Sequence, residues 1–343
     1  MKALIIGGAG FIGCNIAKRL IDRRDEVIVF DNLSRKGTRA NLRWLRSSGP
    51  VDFFQGDIRH YEALEKVFRK HSDVDVVYHM AAQVAVTTSV TNPREDFEIN
   101  ALGTFNVLEA VRLAEADPIL LFASTNKVYG GMEDVKIVEE DGRYAYRDFP
   151  EGIPEGRFLD FHSPYGCSKG AADQYVRDYA RIYGLRTITF RQSCIYGYRQ
   201  FGIEDQGWVA WFTIQAVLDR PISIYGDGKQ VRDMLFVEDL VDAYQMAIEA
   251  IETTGGKIYN LGGGPRNKMC LHDLVAYLES LTRRKLRIGY DDWRPGDQPV
   301  FVCNVEKAKQ EFGWEPRTPP EEGVRKLFEW VSKNQQLFLQ EGL

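Results

Sequence analysis

Lys2-Ala3-Leu4-Ile5-Ile6-Gly7-Gly8-Ala9-Gly10-Phe11-Ile12-Gly13 is the stretch whose reading decides the fold. Ala3 to Ile6 is a short apolar run, the glycines turn the chain, and Ile12 to Ile21 has helical apolar spacing. A glycine turn between strand and helix lets backbone N–H groups approach a pyrophosphate at the helix N-terminus, where the dipole favours negative charge. Glycines at this place also serve a plain tight turn, so the spacing gains its meaning only from the residues downstream of it.

Glu26 to Phe30 reads as a second buried strand, and Asp31 ends it. Asp31 lies near the distance of about 20 residues beyond the glycines at which a carboxylate accepts hydrogen bonds from an adenosine ribose. A 2′-phosphate would be repelled there, which favours NAD over NADP. Arg35 and Lys36 are cations of the kind that hold a 2′-phosphate and argue the other way.

The alternation continues. Val51–Phe54, Val74–Met80, Ile119–Ala123, Thr187–Phe190 and Lys257–Leu261 read as strands. Tyr61–His71, Arg94–Glu115 and Ser163–Tyr183 read as helices, the last with Ser163 as N-cap and Pro164 at the first helical position. This order predicts an α/β fold: a doubly wound parallel sheet covered on both faces, with ligands at the carboxyl ends of its strands. Gly131–Asp160, rich in glycine, proline and charge, reads as an excursion or lid. Beyond Gly197 the pattern is mixed, with helices expected at Gln206–Leu218, Val237–Ile251, Leu271–Leu281 and Pro320–Lys333 in a smaller lobe.

Composition excludes several classes. The chain has 343 residues, 44% hydrophobic and 27% charged, as in ordinary globular proteins. A net charge of −5 argues against a general nucleic-acid binder. The five cysteines are scattered with no C-x-x-C pair, which points to reduced thiols in a cytoplasm and to no metal site. No apolar run approaches membrane-spanning length, and the chain enters its first strand without a signal-peptide pattern.

Tyr165-Gly166-Cys167-Ser168-Lys169 is the expected chemical centre. Tyrosine and lysine four residues apart share one helix face. An ammonium close to a phenol favours the phenolate, which can then take a proton from a sugar hydroxyl while hydride leaves. The same spacing is common in surface pairs; here it comes after a nucleotide fingerprint and a strand ending in Ser124-Thr125.

These motifs in this order resemble the extended short-chain dehydrogenases/reductases of the nucleotide-sugar epimerase and dehydratase group. The resemblance spans nearly the whole chain. It rests on Gly7-x-x-Gly10-x-x-Gly13, Asp31-Asn32-Leu33, Asp57-Ile58, His79 to Gln83, Asn100, Thr125 to Gly130, Tyr165-x-x-x-Lys169 and Arg232-Asp233. It implies a Rossmann-type domain over 1–190, with returning segments at about 230–262, and a smaller mixed α/β nucleotide-sugar lobe over 191–229 and 263–343. It implies that Gly7, Gly10, Phe11, Ile12, Gly13, Asp31, Asn32, Ser34 and Arg35 contact NAD. Asp57 and Ile58 would border the adenine, Ala81, Ala82 and Gln83 lie along the cofactor, Asn100 support it, and Ser193 lie near the nicotinamide. Thr125, Tyr165 and Lys169 would be catalytic, Lys169 also binding the nicotinamide ribose. It further implies a homodimer, or a dimer of dimers, through the two long helices.

A 4,6-dehydratase of this group carries Thr-Asp-Glu, whose carboxyls serve the elimination of water. Here the run is Thr125-Asn126-Lys127, which cannot replace that pair at neutral pH. Ser124 to Gly130, Phe161 to Gly170 and Gln206-Gly207-Trp208-Val209 resemble the 2-epimerases of CDP-paratose and CDP-tyvelose. The implied reaction is oxidation at C2 to a 2-keto sugar and reduction on its other face, with CDP-glucose a further candidate substrate. Substrate contacts would then come from Thr125, Asn126, Cys194, Gln206, Trp208, Gln230, Arg232 and Arg294, the two arginines clamping the pyrophosphate. A 4-epimerase of UDP-sugars, a net NAD-consuming oxidoreductase and a non-catalytic dinucleotide sensor are the alternatives.

Overall fold

The computed structural model describes residues 1–114, 116–294 and 296–343. Its centre is a seven-stranded parallel sheet. The strands are β1 (Lys2–Ile6), β2 (Glu26–Asp31), β3 (Asp52–Gln55), β4 (Val76–His79), β5 (Ile119–Thr125), β6 (Thr187–Gln192) and β7 (Lys257–Leu261). Their order is β7-β6-β5-β4-β1-β2-β3. The chain winds outward from β1 in both directions, so the switch point lies between β1 and β4.

The strands are apolar almost throughout because both faces are covered. Ala3, Ile5, Val27, Val29, Val76 and Tyr78 point to one face, where they meet Ile16, Ala17 and Leu20 of the first helix and Leu240 and Val241 of a later one. Leu4, Ile6, Ile28, Phe30, Val77 and Phe122 point to the other. There they meet Leu64, Val107, Leu108, Ala172 and Val176. The two-residue period of a strand and the 3.6-residue period of the helices are thereby satisfied together.

The second lobe has its own core. Helices Trp208–Val217, Leu271–Thr282 and Pro320–Lys333 bury Val209, Phe212, Leu274, Leu278, Val324 and Leu327 around a parallel strand pair, Ile222–Tyr225 and Ile288–Asp291. The chain leaves the sheet after β6, builds part of this lobe, and returns for β7 before completing it.

Three local expectations differ. The helix expected over Arg94–Glu115 is three pieces: Pro93–Phe97, a π turn at Glu98–Leu102, and Gly103–Arg112; Glu115 lies outside the described residues. The wider turn carries Asn100, which is held by buried hydrogen bonds to the Gln83 main chain. Gln206 precedes its helix rather than opening it, because Gly207, at φ +79, turns the chain first. The 131–160 excursion is a hairpin, Ile137–Glu140 against Arg143–Tyr146, fastened by its own core. Met132, Val135, Tyr146 and Ile153 are buried with Val300 and Phe301, so the segment is a buttress and not a free lid.

Candidate active site

The glycine turn sits at the switch point. The Gly7 N–H donates to Phe30 O at the end of β2 (2.7 Å), and the Ala81 N–H donates to Ile6 O from beyond β4 (2.9 Å). Each glycine has its own reason. Gly7 has φ +83, and a Cβ there would lie 2.6 Å from the Ala81 nitrogen. A Cβ at Gly13 would lie 2.2 Å from Gly7 O, so the helix can approach the turn only without one. At Gly10 the nearest atom would be Gly7 O at 3.1 Å, leaving that side of the turn open for a ligand.

Asp31 closes the turn from β2. One carboxylate oxygen accepts the Ala9 N–H (3.0 Å) and the other the Leu33 N–H (2.8 Å). Burial raises its pKa, and the N–H groups of Leu33, Ala9 and Gly10 work against that rise. Asn32 donates to Asp57 (2.9 Å), and Arg59 grips Asp57 through two hydrogen bonds of 3.0 and 2.9 Å. Burial would raise Asp57, but Arg59 and Asn32 outweigh it and hold the carboxyl at about 2. Ser34 and Arg35 are exposed on the following loop, and Arg35 reaches across to Gln206 (3.1 Å).

Asp96, which no sequence motif marks, is buried. It accepts from Gln83 Nε2 (2.8 Å), Asn100 Nδ2 (3.1 Å) and the Ser168 hydroxyl. Ser168 lies one residue before Lys169, so this carboxylate ties the Ser163–Tyr183 helix to the π turn and to the segment after β4. A buried charge with three donors is strongly positioned.

Tyr165, Lys169 and Thr125 converge at the end of β5. The helix Ser163–Tyr183 begins beside them, and the Ser163 hydroxyl, at a residue of φ +68, accepts the Gly166 N–H (3.2 Å). Burial pushes the Tyr165 phenol up to about 12; the Thr125 hydroxyl and the Arg35 charge pull it down, and Asp96 pushes it up. Thr125 Oγ1 accepts the Lys127 N–H (3.2 Å) and donates its own hydrogen to Asn126 Oδ1 in a long bond of 3.4 Å. Lys169 is placed differently from the simple pairing expected with Tyr165. Its ammonium donates to Ala123 O (2.6 Å) and lies 4.2 Å from the centre of the Phe122 ring. Burial lowers its pKa to about 7 against the pull of Asp173 and Asp96.

The remaining candidates follow β6 in the chain. Ser193 follows β6 and donates to Asp233, a fully buried carboxylate that also accepts from the Cys303 N–H, the Cys303 thiol and the Gly264 N–H. Burial raises Asp233 to about 6. Cys194, at φ +42, is half-buried beside Trp208, and burial pushes its thiol up to about 12. Gln230 is buried and donates to Tyr225 O, so it props a turn. Arg232 is paired with Asp297 (2.6 Å). Arg294 is paired with Asp205 (3.2 Å) and stacks on Tyr225 at 3.8 Å.

Known proteins resemble the chain over most of its length. Residues 3–262 match the NAD dependent epimerase/dehydratase family. The chain belongs to that family. It is 45% identical over 337 residues to the CDP-paratose 2-epimerase of Salmonella typhi, covering 97% of this chain and 99% of that relative. A UDP-glucose 4-epimerase from Thermotoga maritima, solved with UDP-glucose, superposes with a TM-score of 0.84 at 31% identity over 98% of this chain and 100% of that one. A dTDP-glucose 4,6-dehydratase from Streptomyces venezuelae, solved with NAD, gives 0.85 at 26% identity over 99% and 100%. The cofactor of this enzyme is NAD, and the open Gly10 side of the turn and the Asp31 carboxylate are suited to a dinucleotide's phosphates and ribose.

Proposed function

We propose that this epimerase inverts C2 of a nucleotide sugar, with the CDP-paratose/CDP-tyvelose pair as its substrates. The observation that carries the choice of epimerisation is the site itself. Thr125, Tyr165 and Lys169 are gathered as for oxidation of a hydroxyl, while Asn126 and Lys127 stand where elimination needs carboxyls. The CDP base and the C2 position draw their support from the likeness to the Salmonella relative.

NAD, when bound, supplies the hydride acceptor and donor. The chain handles the proton and the geometry. Tyr165 Oη, once ionised to the phenolate, takes the proton of the C2 hydroxyl and returns it when the 2-keto sugar is reduced on its other face, so protons and electrons balance over a turnover. Thr125, whose hydroxyl otherwise donates to Asn126 Oδ1 (3.4 Å), turns that hydrogen toward the same oxygen. Lys169, fixed on Ala123 O, holds the ribose side. Cys194, Gln206 and Trp208 surround the sugar, and Arg232 and Arg294 flank its diphosphate.

Pure protein incubated with CDP-, UDP- and GDP-sugars, without added NAD, tests this by NMR. Epimerisation at C2 of a CDP-sugar is the expected result. Inversion at C4 of a UDP-sugar, or a requirement for stoichiometric NAD, would replace the reading.

We infer further that the protein is a cytoplasmic homodimer. Phe97, Leu102, Phe105, Tyr175, Ile182 and Tyr183 are exposed on neighbouring helices, and Phe105 meets Tyr175 edge-on at 5.8 Å. An apolar patch of this kind suits a second copy of the chain. Among the described residues no helix is long and apolar enough to cross a membrane, and all five cysteines are free, as in a reducing compartment. Light scattering is expected to give a dimer for the wild type and a monomer for Ile182→Asp.

A further inference from the structure

Lys127 is a cation of the substrate cleft that the proposed reaction leaves unused. Its backbone is bound to the catalytic group, since the Lys127 N–H donates to Thr125 Oγ1 (3.2 Å). Its carbonyl lies 3.3 Å from where a Cβ would stand on Gly166, next to Tyr165. From there the side chain reaches the 296–298 segment, where Nζ donates to Gly296 O (3.3 Å) and Gln298 Oε1 (3.4 Å). Both contacts are long and both acceptors are neutral. Among the described residues Lys127 has no ion pair, whereas Arg232 is matched by Asp297 and Arg294 by Asp205.

A half-buried ammonium whose only hydrogen-bond acceptors are neutral is poised for an anion. The anion a nucleotide sugar brings is its diphosphate. That phosphate is attached to C1, the carbon next to C2, whereas C4 lies across the ring. A phosphate held by this ammonium, between the 296–298 segment and the main chain that bonds Thr125, leaves C2 as the ring carbon nearer to it and C4 as the farther one. A carboxylate at the same position would repel the phosphate and favour the far side of the ring.

Resting on the nucleotide-sugar reading, we infer that Lys127 determines which carbon reacts: its ammonium binds the sugar-side phosphate beside Thr125 and Tyr165 and so presents C2 to them. The charged groups that act on Lys127 are Arg232 and Asp297 from the second lobe. His162, from the loop before the catalytic helix, lies against Gly296. Burial and Arg232 together lower the Lys127 amine to about 8. Phosphate binding is then strongest below that pH and weakens as the amine loses its proton.

The test uses NAD-loaded wild type, Lys127→Gln and Lys127→Arg, with CDP and CMP as probes and UDP and UMP in parallel. Only the diphosphates carry the sugar-side phosphate. Lys127→Gln is expected to bind the diphosphate about tenfold or more weakly, with little change for the monophosphate, the loss of one charge-assisted bond. Wild-type affinity for the diphosphate falls above about pH 8, Lys127→Arg stays level to higher pH, and Lys127→Gln shows no such limb. C2 epimerisation, followed by NMR, is slowed in Lys127→Gln and kept in Lys127→Arg. Equal losses for diphosphate and monophosphate, or none for either, overturn the phosphate anchor while the epimerase reading stands. Failure of the wild type to bind either diphosphate overturns both.

Discussion

The Asp31 carboxylate accepts the Ala9 N–H at 3.0 Å, so the residue that ends β2 also braces the glycine turn that comes after β1. Asp31→Ala removes that brace, the Leu33 bond and the acceptor offered to a ribose together. NAD affinity is expected to fall about tenfold or more, the cost of losing a charge-assisted hydrogen bond. Cofactor content of the purified protein and titration of the stripped protein with NAD measure it; undiminished NAD content would contradict the assignment.

Gly13 and Gly10 separate packing from binding. Gly13→Ala puts a Cβ 2.2 Å from Gly7 O and 2.7 Å from Gly8 Cα, both backbone atoms that cannot step aside. A destabilisation of about 1–3 kcal/mol is expected in urea unfolding. Gly10→Ala meets only Gly7 O, at 3.1 Å. It should fold nearly as well and still lose NAD. If the two variants behave alike, the division of labour within the turn is wrong.

Tyr165→Phe keeps the ring and deletes the proton carrier. Turnover should fall by about 10²–10⁴-fold, the range for a lost general acid–base group. NAD content should stay at the wild-type level. Full activity in this variant would remove Tyr165 from the mechanism.

Asp233→Asn looks conservative and is expected to be costly. Ser193, the Cys303 N–H, the Cys303 thiol and the Gly264 N–H all donate to the carboxylate. An amide would turn its own N–H₂ toward some of them. The loss should be about 1–3 kcal/mol for each buried donor left without an acceptor. The pH dependence gives a second reading. Because burial raises Asp233 to about 6, the folded state holds its proton more tightly than the unfolded one. That contribution to stability is complete below the unfolded carboxyl range and is lost as pH rises through about 6. The variant should lack this limb in thermal melts recorded from pH 4 to 7.

Most of the sheet was legible in the sequence because each strand is a short apolar run bounded by turns. Val76 to His79 is buried at every position, and such a segment admits few other readings. The residues at the strand ends could be placed for the same reason: Asp31 ends β2, Ala81 lies just beyond β4, and Thr125 ends β5. What stayed hidden depends on contacts distant in sequence. Asp96 gains its role only when Ser168 and Gln83 are brought to it, and nothing in Pro93-Arg94-Glu95-Asp96 announces a buried carboxylate. Arg232 and Asp297 are a pair only once the second lobe folds. The π turn at Asn100 was invisible because one extra residue in a helical turn barely disturbs the apolar spacing. Helical spacing puts Lys169 on the face of Tyr165, but only the folded structure shows that its length carries the ammonium to Ala123 O.

The place of β7 bears on how the protein is made. It pairs with β6 at the edge of the sheet, yet Lys257–Leu261 comes after β6 only by way of a long passage through the other lobe. During synthesis the first six strands emerge long before the seventh, and the free edge of β6 must wait. The open edge of a half-finished sheet is where chains stick to one another. The nascent polypeptide is therefore most exposed to aggregation while that passage is being translated. The same threading means the second lobe cannot be exchanged as a cassette by a single crossover.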